Sequence, residues 1–208
     1  MGFANMAERN AIEAEAEWSQ RDVAKTIHQA MAQVAEKHGA RPAITYQLMS
    51  GPTDPSETLT WRELYAGSVQ AANLFRSLGV GEKDVVAYIL PNATETVMTL
   101  FGGMMAGIVN PINPLLEPEQ IAAILRETGA KVVVTLRSFP KTDVAQKVSQ
   151  ALALAPDVTH VLEVDLLRYL TGVKKFIVPL IRPKGLTSHR AKVLNFNAEL
   201  TKQPKTLA

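Results

Sequence analysis

Between Asp84 and Val164 the chain alternates short apolar runs with helix-length segments, and this alternation constrains its fold more than any other feature. Asp84-Val85-Val86-Ala87-Tyr88-Ile89-Leu90 is a nearly continuous apolar run, as expected of a strand covered on both faces, and Pro91-Asn92 closes it. Residues 94–107 read as a helix in which Gly102-Gly103 permits close packing or a bend. Residues 108–114 read as a strand running into a loop punctuated by Pro111 and Pro114. Next comes a helix over 118–128, with Pro118 in its first turn and Gly129 beyond its end. A strand over 131–136, a helix over 142–155 and a strand over 160–164 complete the series. Strands separated by helices of this length predict right-handed βαβ crossovers. The fold class is therefore α/β, a mainly parallel sheet flanked by helices.

The region before this series carries its own signals. Val23, Ile27, Met31 and Val34 fall on one helical stripe, which Gly39 and Pro42 end. Ala43-Ile44-Thr45-Tyr46 and Leu59-Thr60-Trp61 read as short strands around a Gly- and Pro-containing hairpin loop over 49–56. Thr60 and Glu63 have capping-box spacing, so a helix is expected to start near Trp61 and run to Gly79.

With 208 residues and 47% hydrophobic content the chain can bury a sizeable core. Zero cysteine excludes disulfides, thiolate metal sites and a cysteine nucleophile. The net charge of +2 conceals a split. Residues 1–160 hold 13 Lys+Arg and 17 Asp+Glu, a balance of −4, whereas 161–208 hold 9 and 3, a balance of +6. Glu8, Glu13, Glu15 and Glu17 are the wrong chemistry for a leader, and no apolar run approaches a membrane span, so a cytoplasmic location is expected.

Three segments result: a polar extension over 1–20, an α/β unit over 21–165, and a basic amphipathic segment and tail over 166–208. In the last, Leu166, Leu167, Leu170, Val173, Ile177, Leu180 and Ile181 share one helical face. Pro179 interrupts the pattern, and Pro183 with Gly185 ends it. An apolar stripe flanked by Lys174, Lys175, Arg182 and Lys184 suits contact with an anionic membrane surface. The competing reading packs the stripe on the sheet and turns the lysines to water. Residues 188–208 read as a polar tail anchored by Val193, Leu194, Phe196 and Leu200. Few aromatics and no recognisable motif accompany the charge, so nucleic acid is not an expected partner.

Catalytic constellations are missing from the pattern. His28, His38, His160 and His189 are scattered, with no second ligand type at metal spacing. Glu117 and Glu119 straddle Pro118, where acidic groups complement a helix dipole. Gly79-x-Gly81 lacks either phosphate-loop form and reads as a helix stop and turn.

Several stretches, taken together in order and spacing, carry a resemblance. They are Leu59-Thr60-Trp61-Arg62-Glu63-Leu64, Ala72-Asn73-Leu74, Leu78-Gly79-Val80-Gly81-Glu82-Lys83-Asp84-Val85-Val86-Ala87, Leu90-Pro91-Asn92, the run from Gly107 to Pro114, and the run from Ile121 to Leu136. Over roughly 20–165 the chain resembles the adenylate-forming acyl-CoA synthetase family, and the segment beginning Asp165-Leu166-Leu167 is similar to a basic segment of bacterial long-chain fatty acyl-CoA ligases. The resemblance implies an ATP-dependent ligase acting on a fatty or related carboxylic acid. The acid attacks the α-phosphate to give an acyl-adenylate, and the thiol of coenzyme A then displaces AMP. ATP, Mg²⁺ and coenzyme A are implied for the full-length family. Its phosphate loop, nucleotide contacts and catalytic lysine lie later than Ala208, so no catalytic residue is assigned, no cofactor is expected on this chain alone, and the implied partner is the missing C-terminal part. Asn113-Pro114-Leu115 matches a loop that in some relatives carries an arginine contacting coenzyme A, and Leu115 stands at that position here. A ligase portion should expose an apolar face, which makes a dimer an expectation. The alternatives are a free-standing non-catalytic module that binds a membrane or protein through its basic end, and a flavodoxin-like or dinucleotide-binding domain. Against the last stands the missing glycine fingerprint.

Overall fold

The computed structural model describes residues 4–21 and 23–207. Residues 1–3 of the polar extension and Ala208 of the basic tail lie outside them. The extension forms helix α1 (Met6–Ala14), which buries none of its residues, and a 3₁₀ turn over Trp18–Gln20. Helix α2 (Ile27–His38) starts at the Thr26 cap, whose hydroxyl accepts from the Gln29 N–H. Val23, expected on its stripe, falls before that cap and is exposed, whereas Met31 is buried as expected.

Strands β1 (Pro42–Gln47) and β2 (Ser56–Thr60) pair antiparallel and form a separate two-stranded ribbon. Thr60 then caps helix α3 (Trp61–Ser77): its side chain accepts from the Glu63 N–H at 3.3 Å, and the Glu63 carboxylate accepts from the Thr60 N–H at 2.8 Å. Four elements of the alternating series follow as β3 (Val85–Ile89), α4 (Thr94–Ala106), β4 (Ile108–Pro111) and α5 (Pro118–Thr128). The remainder is β5 (Ala130–Leu136), α6 (Val144–Ala153) and β6 (His160–Val164). Gly102 is where α3 and α4 meet, since a Cβ there would lie 2.5 Å from that of Ala71 and 2.8 Å from the Ser68 carbonyl oxygen.

The main sheet is wholly parallel, in the order β4-β3-β5-β6-β7. Its central strands are apolar because helices cover both faces, α3 packing on α4 and α5 on α6. Val86, Ala87, Ile89, Val132, Val133, Val134 and Leu162 have no exposed surface. The chain passes from β3 outward to β4, then crosses to β5 on the other side of β3. That order is shared with other doubly wound sheets, and its reversal point lies between β3 and β5.

Two sequence expectations fail beyond β6. No continuous helix runs over 166–184. Instead there is a 3₁₀ turn over Leu166–Tyr169, a one-turn helix α7 (Lys174–Ile177) and a second 3₁₀ turn over Val178–Ile181. Gly172 takes a left-handed backbone (φ 57°), which a helix cannot continue through. The proposed stripe is thereby split, with Leu166 and Leu170 buried and Val173, Ile177, Leu180 and Ile181 exposed. The polar tail also contributes strand β7 (Lys192–Asn195) to the sheet and helix α8 (Phe196–Leu200) to its cover. Phe196 and Leu200 are buried, as the anchoring reading requires, whereas Val193 is exposed. The sequence hides β7 because an exposed edge strand needs no apolar alternation. The last residues are tied back to α3: Gln70 Nε2 donates to the carbonyls of Leu200 and Gln203, and Asn73 Nδ2 to those of Pro204 and Thr206.

Candidate functional site

Parallel strands end on one edge, so the loops that follow them converge there and ligands of doubly wound folds bind at the point where the strand order reverses. At that point the chain leaves a cavity of about 440 Å³. Pro91 lines it from the loop after β3, Leu115 from the loop after β4, and Phe139 and Lys141 from the loop after β5. Leu136 and Leu166 complete an apolar wall. Lys141 has a left-handed backbone (φ 64°), unusual for a residue with a side chain, and sits within this lining. Leu115 is 80% exposed on the rim, and its N–H donates to the Asn113 carboxamide oxygen at 2.9 Å. The structure therefore places Leu115 at the cleft, where it can offer apolar contact but no charge.

Beside the same edge lies a polar cluster that sequence reasoning missed. Glu95, in the first turn of α4, has no exposed surface. Its Oε1 accepts from Arg168 Nη1 at 2.8 Å and from Asn197 Nδ2 at 2.9 Å, and its Oε2 accepts from the Tyr169 hydroxyl at 2.6 Å. Arg168 also pairs with Glu57 on β2, and the Thr94 hydroxyl donates to Glu57 at 2.7 Å. The Arg168 guanidinium carbon stands 4.4 Å from the Tyr169 ring centre, and Tyr46 meets that ring edge-on. Burial alone would raise the Glu57 carboxyl pKa, but hydrogen bonds from Arg168 and Thr94 overcome it and hold it below the usual range. Burial, with the Glu95 charge added, pushes the Tyr169 phenol far up, so it stays protonated as a donor. With each oxygen engaged, Glu95 ties α4 to the turn after β6 and to α8, and Arg168 and Thr94 extend the brace to Glu57 on β2. Glu95 is not placed to take a proton from a substrate. No sequence spacing reveals this cluster, because Glu57, Glu95, Arg168 and Asn197 come from four distant segments. The one local signal was Glu95 in an otherwise apolar helix.

The four candidate membrane-contact cations part company. Arg182 turns inward, with Nη2 donating to both Asp165 oxygens at 2.7 and 2.8 Å. A group so engaged is not available to a membrane. Lys174 and Lys175 are exposed on α7, Lys174 lying 3.6 Å from Asp54, and Lys184 is exposed beyond Pro183. Among the described residues no group of His, Asp and Glu is arranged to hold a metal ion, and no helix is long and apolar enough to cross a membrane. Of the histidines, His28 hydrogen-bonds the Tyr65 hydroxyl at 2.9 Å, an ordinary packing role.

A doubly wound scaffold with an apolar cleft at its strand reversal is the class that fold and site define. Residues 31–179 match the family model described as AMP-binding enzyme, and the chain belongs to that family. It is 32% identical over 142 residues to the marinolic acid–CoA ligase of Pseudoalteromonas sp. (strain SANK 73390), covering 68% of this chain and 21% of that protein. It is 26% identical over 186 residues to the long-chain-fatty-acid–CoA ligase of Bacillus subtilis (strain 168), covering 88% of this chain and 30% of that one. The crystal structure of the anthranilate CoA ligase AuaEII in complex with anthranoyl-AMP superposes with a TM-score of 0.62 at 20% identity. That match covers 92% of this chain and 31% of the other, and establishes the shared fold. The chain thus spans between about a fifth and a third of these three proteins, as 21%, 30% and 31% coverage shows.

Proposed function

We propose that these residues are the N-terminal portion of an ATP-dependent acid–CoA ligase that makes an acyl-adenylate and then an acyl-CoA. The observation that carries the reading is the family match over 31–179 in a chain that spans 21% to 31% of the ligases it resembles. Activation of a carboxylate needs donors aimed at the α-phosphate, a metal-binding carboxylate and a cation against the developing charge. Here the loops at the cleft supply apolar surface with Lys141, Thr142 and Asp143, whose carboxylate pairs with Lys147 at 3.5 Å, and the buried Glu95 is engaged by Arg168, Tyr169 and Asn197. The chain acts as scaffold: its sheet edge forms one wall, and the part that follows in the relatives supplies the chemistry, with ATP, Mg²⁺ and coenzyme A. The relatives named for marinolic and long-chain fatty acids favour an apolar carboxylic acid as substrate.

The test is acid-dependent ATP–pyrophosphate exchange. The purified chain alone is expected to show none. Mixed with the remainder of a ligase relative cut ahead of its phosphate loop, it is expected to restore exchange, as the relative's own N-terminal piece does in the control. Exchange by the chain alone, or a silent mixture beside a working control, would overturn the proposal.

A further inference from the structure

The segment 173–186 is unusual for a folded surface. Val173 is 70% exposed, Phe176 77%, Leu180 81% and Ile181 57%, within nine residues of chain. Ile177 and Leu186 are also exposed, and Met49 adjoins Val173 across a shared pocket. Scattered surface apolar residues are ordinary, but a contiguous group of this size marks an interaction site. The segment is also held in place at both ends. On the near side Leu166 and Leu170 are buried. On the far side Arg182 is clamped by Asp165, and the Ser138 hydroxyl donates to the Pro183 carbonyl at 2.6 Å. The apolar side chains thus project from a fixed knuckle of two short turns.

Charge narrows the occupant. From Leu166 to Ala198 the chain carries seven Lys+Arg and no Asp or Glu. Of these, Lys174, Lys175 and Lys184 stand exposed within or beside the apolar group. Asp54 on the neighbouring hairpin loop pairs with Lys174 at 3.6 Å, so Lys175 and Lys184 carry the net positive charge of the rim, and exposed apolar tips with such a rim suit a surface that is apolar inside and anionic at its face.

We infer that the 173–186 knuckle docks on an anionic lipid surface, with Phe176 and Leu180 entering the headgroup boundary and Lys174, Lys175 and Lys184 facing lipid phosphates. The contact is a wedge of two turns, too short for an amphipathic helix lying in the interface. It uses no residue of the cleft or of the Glu95 cluster.

The experiment is co-sedimentation of the 208-residue chain with phosphatidylcholine vesicles, with and without phosphatidylglycerol. Binding is expected to the mixed vesicles and to weaken with salt. Each exposed lysine near the surface is worth about fivefold in partitioning, so K174Q with K175Q should lower it roughly 25-fold. F176S with L180S should abolish it. Thermal unfolding checks that both variants remain folded, and since all four side chains are exposed no shift is expected. Failure to bind mixed vesicles, equal binding to pure phosphatidylcholine, or binding unchanged in F176S/L180S would overturn the assignment. Saturable self-association in place of vesicle binding, abolished by F176S/L180S, would overturn it in favour of a protein partner.

Discussion

The strands β3, β5 and β6 and the segment over 166–186 are built from the same residue types, Val, Ile and Leu, yet the structure treats them oppositely. In the strands these side chains are sealed between helix layers, whereas at 173–181 most of them face outward. What separates the two is the backbone. An unbroken strand beside neighbours of matching register gains burial along its whole length, while Gly172, Pro179 and Pro183 divide the later segment into turns too short to lay a continuous face on anything. Apolar composition sets how much surface can be buried. Chain continuity decides whether it is.

Substitutions sharpen the contrast. The largest effect is expected in the core: Phe75→Ala, at a position with no exposed surface, should cost about 3–5 kcal/mol in denaturant unfolding. The matching aromatic Phe176→Ala should stay within about 0.5 kcal/mol. A Phe176→Ala cost comparable with that of Phe75→Ala would remove the distinction.

Next comes the brace. Arg168→Ala leaves the buried Glu95 without its cation, and a broken buried pair costs about 3–5 kcal/mol. Because the Arg168 side chain is 37% exposed, about 2 kcal/mol is expected, again read from unfolding midpoints. Smaller still is the cap of α3, where Thr60→Ala should cost about 1 kcal/mol and Thr60→Ser very little.

The smallest effect is on pH dependence. Glu57 is held below the ordinary glutamate value of 4.5, so its contribution is fully present above that value and is lost as pH falls through the folded pKa. Glu163 runs the other way. Burial raises its pKa, outweighing the nearby Arg137 charge, so its contribution is full below 4.5 and is lost as pH rises through the folded value. Glu57→Gln should therefore flatten the loss of stability below pH 4.5, and Glu163→Gln should slightly stabilise the protein at neutral pH. Unfolding midpoints compared across that range check both signs.

How much was legible in the sequence follows the same divide. The alternating series from Val85 to Val164 was readable because each element carries its own local signal, such as the apolar run of β3, Pro118 at the start of α5 or the Thr60–Glu63 box. The 166–184 segment misled because helical spacing records which residues could share a face, while Gly172 decides that they do not. Strand β7 was hidden, having little apolar surface to bury, and is identified only by its pairing with β6. At the site, Leu115 was singled out only by its matched loop, and its position on the cleft rim comes from the structure; the Glu95 cluster was invisible, since its members meet only once the sheet is assembled. Arg182 looked like its neighbouring cations until Asp165, seventeen residues away, was seen to hold it.

Hydrogen–deuterium exchange on the native chain tests the central contrast most directly. Slow exchange, close to that of global unfolding, is predicted for the amides of β3, β5 and β6, and fast exchange for residues 173–181 despite their apolar side chains. Protection of 173–181 equal to that of β5 would show those residues packed into the body, and would contradict the account.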